Sequence, residues 1–554
     1  MVSSALIRKY AMANAFQHEG RANAGAVLGK LIAEDASVKA KIKEIMPEIQ
    51  KVIKEVEKIK QEDKEKELKK TYPELFEKKE VEEKVLKELP NAENGKVIMR
   101  MAPSPSGPLH IGHAIVLSLN SEYCRKYKGK LIIRIEDTNS DNIYPPAYEQ
   151  IPEDANWLTK NNVAQVIIQS DRMKSYYKCA EEVIKMGEAY VCTCPSEKWH
   201  DLMVKKIACP CRDLSIEKNL DRWKKMFSEF KEGDAVVRIK TDIEHKNPAM
   251  RDWPALRIND SEHPRQKKKY RVWPLMNFSV AVDDHEQGMT HTIRGKDHMD
   301  NEKKQLFLYE KMGWKMPTNL YIGRIQFEDI AVSCSKTRPL IESGQFSGWD
   351  DIRLPFLQAL KRRGYQPDAF IKYAVELGVT ENDKHVSGDE FFEKLNSFNR
   401  RILDSVSDRY FFVANPVALD IENMPDIKTA KLKIHPEKKE TRTIKVTKKL
   451  FVPEHDYKEN KGKEIGLKDL FNVKLGKKVE YTDNEVKEIP HIQWVSEDNV
   501  QAEIMMPAGG SLKGLAEANA KKLKVGDIIQ FERIGFVRLD EKLKDKLIFY
   551  YGHK

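Results

Sequence analysis

The stretch from Val97 to Asn139 leaves the chain few ways to fold. Val97-Ile-Met-Arg100 is a short apolar run, and Pro103-Ser-Pro-Ser-Gly-Pro108 cannot continue it, because proline lacks the ladder donor and glycine weakens extended pairing. Ile111, Ile115, Leu119 and Tyr123 then recur every four residues, which is the repeat of one helix face. Gly129-Lys-Leu-Ile-Ile-Arg-Ile135 returns as a second strand and stops at Glu136-Asp137-Thr138-Asn139. Strand, loop, helix, strand is a β-α-β unit, and strands joined by a helical crossover lie parallel. A parallel α/β sheet is predicted.

That unit sits inside a chain of 554 residues, too long for one ordinary domain. From Lys51 to Pro90, 24 of 40 residues are charged, with Val52, Ile53, Val56 and Ile59 at helical spacing, so residues 1–95 are read as a helical N-terminal appendage that ends at the breaker group Pro90 to Gly95. Residues 96–170 form the first half of the sheet domain and 271–340 the second, where Phe278-Ser-Val-Ala-Val282 has strand character. The polar, Lys-rich residues 171–270 between them read as an insertion. Helical pattern runs from Phe356 through Phe412, giving a helical connecting subdomain over 341–415. Residues 416–554 read as all-β, with Thr443-Ile-Lys-Val446, Ile528-Ile-Gln-Phe531 and Leu547-Ile-Phe-Tyr-Tyr551 among their strands and length for two successive modules. No apolar run approaches the roughly 18 residues of a membrane span, and Met1 to Arg8 lacks a signal-peptide core, so a cytoplasmic protein without membrane contact is expected. The net charge of +10 suits a polyanionic partner without proving one.

Three places carry chemistry. The predicted helix after the Pro- and Gly-containing loop begins with His110, Gly112 and His113; a helix N-terminus attracts phosphate, both imidazoles can reach it, and Gly112 lets a flat base approach the backbone. Lys336, in Val332-Ser-Cys-Ser-Lys336-Thr-Arg338, can offset negative charge, with Ser333 or Ser335 as hydrogen-bond donors. Four of the seven cysteines fall within twenty residues, as Cys192-Thr-Cys194 and Cys209-Pro-Cys211. Four thiolates can surround a structural Zn²⁺; the alternatives are reduced thiols without metal, or His200 as a substitute ligand.

Ala102-Pro-Ser-Pro-Ser-Gly-Pro-Leu-His-Ile-Gly-His113 resembles the HIGH signature of class I aminoacyl-tRNA synthetases, in their glutamyl and glutaminyl branch. The resemblance continues through Arg134-Ile-Glu-Asp-Thr-Asn139, Arg251-Asp252, and Asp283-Asp284-His285 to Arg294-Gly295, in order over most of residues 97–415. It implies a Rossmann-type, doubly wound catalytic domain binding ATP with Mg²⁺ at the carboxyl ends of its strands. Residues 171–270 are then the acceptor-stem-binding insertion, and 416–554 are β-barrel anticodon-binding domains like those of glutaminyl and archaeal or eukaryotic glutamyl enzymes. His110, His113 and Lys336 take the catalytic roles, although the leading lysine of the family's Lys-Met-Ser-Lys-Ser loop is missing here. Gly112, Arg324, Ile325 and Ser335 match ATP-binding positions; Arg100, Ser104, Glu136, Trp273, Asn277 and Arg294 match substrate positions. Trp273 is equally a wall of the core. By resemblance Glu136 receives the α-amino group. Arg294 is charged where glutaminyl enzymes are neutral, which favours glutamate, and which of Arg100 and Arg294 holds which carboxylate stays open. The implied partners are glutamate and tRNA(Glu), with tRNA(Gln) open as a second acceptor. Phosphates would meet basic clusters such as Arg265 to Arg271 and Lys438 to Arg442. The rival readings are a glutaminyl enzyme and a non-catalytic tRNA-binding descendant.

Overall fold

The computed structural model describes residues 4–17, 20, 22–35, 38, 41–72 and 85–554, and the chain divides into two compact units, 1–83 and 84–554. Among the described residues no helix is long and apolar enough to cross a membrane.

The first unit holds helices α1 (Ser4–Gln17), α2 (Ala24–Glu34), α3 (Ile42–Glu57) and α4 (Gln61–Thr71). Helix α1 buries Ile7, Ala11 and Ala15 at four-residue spacing, and α3 buries Ile45, Ile49, Val52 and Val56 in the same core. The helical, charged stretch from Lys51 onwards is not one continuous helix. Helix α3 ends at Glu57 and Lys60 is extended, so the chain turns and α4 brings Leu68 into that core. A straight helix would leave Leu68 in water. Residues 73–84 of the expected helix lie outside the described residues, and 85–89 are irregular.

The second unit opens with β1 (Ile98–Met101), α5 (Ile111–Lys126), β2 (Lys130–Ile135), α6 (Ala147–Leu158) and β3 (Val163–Ile168). The three strands pair in parallel in the order β1-β2-β3, with Ile98 opposite Lys130. The helix face read from the sequence is the buried one: Ile111, Ile115, Leu119 and Tyr123 are all in the core.

Helix α7 (Met173–Lys185) leads into a four-stranded antiparallel sheet, β4 (Ala189–Cys192), β5 (Val236–Ile239), β6 (Pro254–Ile258) and β7 (Val272–Pro274), with α8 (Ser196–Val204) and α9 (Ile216–Lys225) between β4 and β5. The chain re-enters the parallel layer through α10 (Met276–Glu286), β8 (His291–Gly295), α11 (Met299–Met312) and β9 (Thr318–Ile322). The strand expected at Phe278–Val282 is therefore the middle of a helix. Every residue from Phe278 to Asp284 is buried, and a helix buried on all sides loses the periodicity that distinguishes it from a strand. Strands β8 and β9 pair in parallel. Thr290, just before β8, donates from its N–H to Ile98 O (3.0 Å) and accepts from Ile98 N–H at Oγ1 (2.9 Å). Strand β1 thus lies between β2 and β8, and the carboxyl ends of all three open on one cavity.

Next come β10 (Ile325–Phe327), α12 (Cys334–Glu342), α13 (Leu357–Arg362), α14 (Pro367–Leu377), β11 (Lys384–Val386) and α15 (Gly388–Leu403). Helix stops at Leu403 and not at Phe412. Phe412–Ala414 is a strand antiparallel to Ala516–Gly514, and Arg409–Tyr410 pairs with Gln530–Phe531. The remainder builds two seven-stranded sheets. They are nested, not successive: the chain starts one at Arg409, builds the other over 416–496, and returns to the first at Asn499. A separate two-stranded hairpin, Thr429–Lys433 with Thr441–Lys445, is tied to the first sheet by buried Glu517, which accepts Phe411 N–H (2.8 Å) and Arg442 Nε (2.9 Å).

Candidate active site

Helix α5 begins inside a mesh of backbone and side-chain bonds. Leu109 N–H donates to the buried Asp154 carboxylate (3.0 Å), Ile111 N–H to Pro355 O (3.1 Å), and Leu357 N–H to Leu109 O (2.9 Å). Burial lifts Asp154 to about 7. His110 caps the helix: its Nδ1 accepts Gly112 N–H (3.1 Å), while His113 Nδ1 accepts His110 N–H (3.4 Å), and the rings stack 3.7 Å apart. With both Nδ1 atoms accepting, each neutral ring carries its proton on Nε2. Burial, then the neighbouring His113, holds His110 well below the usual imidazole range, and burial takes His113 to about 4. Near pH 7 the pair is therefore two neutral N–H donors, not two cations. Gly112 sits so close under His110 that a Cβ there would lie 3.1 Å from the ring.

A cavity of about 280 Å³ lies at the carboxyl ends of β1, β2 and β8, and Arg100, Glu136, Arg294 and His113 line it. Behind them Asp284 of α10, fully buried, receives Arg100 Nε (3.1 Å), Arg134 Nη1 (2.5 Å) and Arg294 Nη2 (3.1 Å). Those guanidinium groups hold its carboxyl far below the ordinary range although burial opposes them. Glu136 pairs with Arg134 (3.0 Å), and burial raises it. Asp283 is taken by Arg172 (2.6 Å), Tyr176 and Gln169. Arg172 also pairs with Glu286 (2.5 Å), so four guanidinium groups face four carboxylates in the wider cluster, while Arg100, Arg134 and Arg294 share the single carboxylate of Asp284. Burial and the neighbouring Arg100 press Arg294 below the usual arginine range. Two buried guanidinium groups that share one carboxylate and line a cavity make a site for an anionic ligand.

The remaining sequence candidates divide. Lys336 and Ser335 are exposed on the first turn of α12, with Ser335 Oγ 3.2 Å from Ser333 Oγ. That turn is docked on the loop before His110, because buried Cys334 approaches Pro108 O (3.6 Å) and a Cβ on Gly107 would come within 2.9 Å of it. Gly107 is thus required by the close approach of the Lys336 segment. Arg324 and Ile325 lie at β10, where Arg324 N–H donates to Asp383 (2.8 Å), and neither lines the cavity. Ser104 is exposed and off the cavity. Trp273 is core: it is buried in β7 and stacks on His263 at 4.9 Å, as its place in an antiparallel sheet requires. Asn277 stands behind the lining, bonded to Gln305 and Asn301.

Sequence reasoning gave no role to Asp284 and missed His298, Asn301 and Gln305, which line the cavity from the start of α11. Their spacing of three and four residues after β8 was the available signal. Among the basic clusters, Arg442 is unavailable to a ligand because it is buried on Glu517, and Arg265 and Arg271 are engaged by Asp171 and Asp260 (2.8 Å each).

The four cysteines do converge. The Sγ atoms of Cys192, Cys194, Cys209 and Cys211 lie within 4.8 Å of one another, with 3.8 Å across each of the pairs 192–209 and 194–211. Four sulfurs at about 2.3 Å from a tetrahedral zinc stand roughly 3.8 Å apart, so the donor set and its spacing fit that ion. Arg222 Nη1 donates to Cys211 Sγ (3.2 Å), and the hydrogen bond from Cys192 holds the Cys209 thiol below its usual range. His200 is exposed on α8 and takes no part in the group.

Comparison with known proteins agrees along the chain. The family model described as tRNA synthetases class I (E and Q), catalytic domain, matches residues 96–404, and the two anti-codon binding domain models of the same family match 407–493 and 491–540. A glutamate–tRNA ligase of Pyrococcus abyssi is 45% identical over 571 residues, covering 99% of each chain. Those of Methanobrevibacter smithii (43% over 559 residues, 99% of each) and Methanothermobacter marburgensis (41% over 563 residues, 100% of each) are similar throughout as well.

Proposed function

The chain belongs to the class I tRNA synthetases for glutamate and glutamine, and on that premise we propose that it is a glutamate-specific member, attaching glutamate to tRNA(Glu) at the expense of ATP. The observation that carries the choice of glutamate is that Arg100 and Arg294 share the one carboxylate of Asp284 and both face the cavity. Glutamate brings two carboxylates and one ammonium; Arg100 and Arg294 meet the carboxylates and Glu136 the ammonium. A glutamate α-carboxylate oxygen attacks the α-phosphorus of ATP, the bond to the leaving pyrophosphate breaks, and glutamyl-adenylate forms. A terminal tRNA hydroxyl then attacks the activated carbonyl, releasing AMP.

His110 and His113 present Nε2–H groups to phosphate oxygens without becoming charged, so they stabilise developing charge without being titrated by it. Lys336, held beside the α5 N-terminus by Cys334, offsets charge on the leaving pyrophosphate, with Ser335 as donor; Gly112, Arg324 and Ile325 accommodate the nucleotide. Mg²⁺ accompanying ATP supplies further charge neutralisation. Cys192, Cys194, Cys209 and Cys211 would hold a structural Zn²⁺ that cross-links the end of β4 to the turn after α8 in the 171–270 insertion, which binds the acceptor end, while 416–554 reads the anticodon. The protein works in the cytoplasm.

The test is charging of each purified tRNA with glutamate and with glutamine. Glutamate transfer to tRNA(Glu), with AMP and pyrophosphate released, is expected, and tRNA(Gln) assayed alongside shows whether it is a second acceptor. Preferential transfer of glutamine would overturn the reading. Arg294→Cys should shift the kcat/KM ratio towards glutamine, since an unpaired buried carboxylate costs roughly 3–5 kcal/mol and a neutral amide much less.

A further inference from the structure

Beside Arg294 the cavity wall is a file of amides whose direction is fixed by its first member. Arg294 Nη1 donates to Gln305 Oε1 (2.7 Å), Gln305 Nε2 to Asn277 Oδ1 (3.2 Å), and Asn277 Nδ2 to Asn301 Oδ1 (3.1 Å); Asn301 Nδ2 ends the file at His298 Nδ1 (2.9 Å). A guanidinium has donors and no acceptor. Gln305 must therefore turn its oxygen to Arg294, which commits its nitrogen to Asn277, and the same constraint passes to Asn301. The last amide nitrogen makes His298 Nδ1 an acceptor, so the neutral ring carries its proton on Nε2. That Nε2 lies 3.9 Å from the exposed Asp297 carboxylate, beyond hydrogen-bond reach.

We propose that this file makes the pocket reject an amide side chain, with Gln305, Asn277 and Asn301 as positioning residues and His298 as a specificity-determining one. The proposal rests on the reading of glutamate as substrate. With the file set in this direction, Arg100, Arg294 and His298 offer the cavity N–H donors. The amide oxygens are turned along the file, and Asp284 is occupied by three guanidinium groups. Glu136 is the acceptor on the lining, and the substrate ammonium takes it. A carboxylate can accept from every donor it meets. A carboxamide brings an NH₂ group that finds donors and no free acceptor among these side chains, the kind of mismatch that discriminates more strongly than shape. Arg294 by its charge attracts glutamate; the file adds a penalty against glutamine.

Gln305→Met separates the two effects, because it keeps the bulk and the Arg294 charge but cuts the file at its head, freeing Asn277, Asn301 and His298 to invert and present acceptors. In tRNA-dependent ATP–pyrophosphate exchange, the ratio of kcat/KM for glutamate to that for glutamine is expected to fall at least tenfold, chiefly through a gain for glutamine. A smaller fall, or a proportional loss for both amino acids, overturns the file as a selector and leaves charge alone. A wild-type protein that shows no preference for glutamate would instead sink the substrate reading itself. Should the variant not fold, the wild-type enzyme decides: ¹⁵N-histidine NMR at pH 8, assigned by difference with His298→Gln, should show the Nε2–H tautomer. An Nδ1–H tautomer contradicts the direction of the file.

Discussion

The cavity around Asp284 and the four-cysteine group are both compact sets of buried polar side chains, yet they are assembled in opposite ways. The cysteines come from two short segments on either side of α8 within twenty residues, the end of β4 and the turn that follows α8, and these local turns bring their sulfurs together. The arginines on Asp284 come from β1, β2 and β8, so Arg100 and its partner are 184 residues apart and meet only when the parallel layer closes. A locally built centre depends on what it binds, whereas a centre built across a sheet depends on charge balance among its own members. Substitutions in the two should therefore fail differently.

The largest effect is expected at Asp284. Asp284→Asn keeps the volume but removes the anion that three buried guanidinium groups share, which should cost roughly 3–5 kcal/mol. Urea unfolding followed by hydrogen exchange in β1 and β8 should show it, with the cysteine region unaffected. A loss below 1 kcal/mol would mean that the arginines are balanced from elsewhere, and the contrast would collapse. Replacing Cys209 and Cys211 together by Ser should give the converse. The protein as purified should carry about one zinc per chain, the variant none, and protection should fall in β4 and β5 while β1 and β2 keep theirs. Elemental analysis of fully reduced protein checks the first half; metal-free protein of normal stability refutes it.

Smaller, and confined to chemistry, is Lys336→Ala. Its side chain is exposed and holds no part of the core, so stability should be unchanged while adenylate formation drops at least about tenfold, or roughly 1.4 kcal/mol in the barrier. Unchanged turnover would remove Lys336 from the mechanism. The least effect is predicted for pH. With His113 held at about 4 and His110 also low, neither ring changes charge between pH 6 and 8, so the rate of adenylate formation should show no histidine step there. Stability behaves with the same sign: the unfolded imidazole takes up a proton near 6.5 and the folded one resists it, so stability is full above that value and is lost as pH falls towards 4. His113→Gln should flatten that acid limb; an unaltered limb would mean that the ring is not buried as described.

Much of this was legible from local pattern. The four-residue repeat from Ile111 to Tyr123 marked the buried face of α5, and the cysteine spacing marked the four sulfurs that converge. Where the pattern misled, burial was the cause. Phe278–Val282 looks like a strand because a helix covered on every side needs no polar face, and Trp273 could be read equally as pocket or core because an aromatic in either place is the same letter. Arg442 stands in a basic cluster that could meet phosphate, and only the packing of its two-stranded hairpin on Glu517 shows it spent.

By itself the sequence determined which residue types could do chemistry and which short stretches bring them together, because turn geometry and helical periodicity act over a few residues. It could state that Arg294 carries a charge. That this charge shares one carboxylate with two others was decided by tertiary structure, which set three arginines from separate strands on Asp284. The protonation of His110 and His113 was likewise decided there, since their low values come from burial and their Nδ1 atoms are fixed by backbone N–H groups at the α5 N-terminus. The physical reason is the same in both cases: the free energy of a charge depends on the solvent removed from it and on the charges beside it, and both are fixed only when distant segments pack.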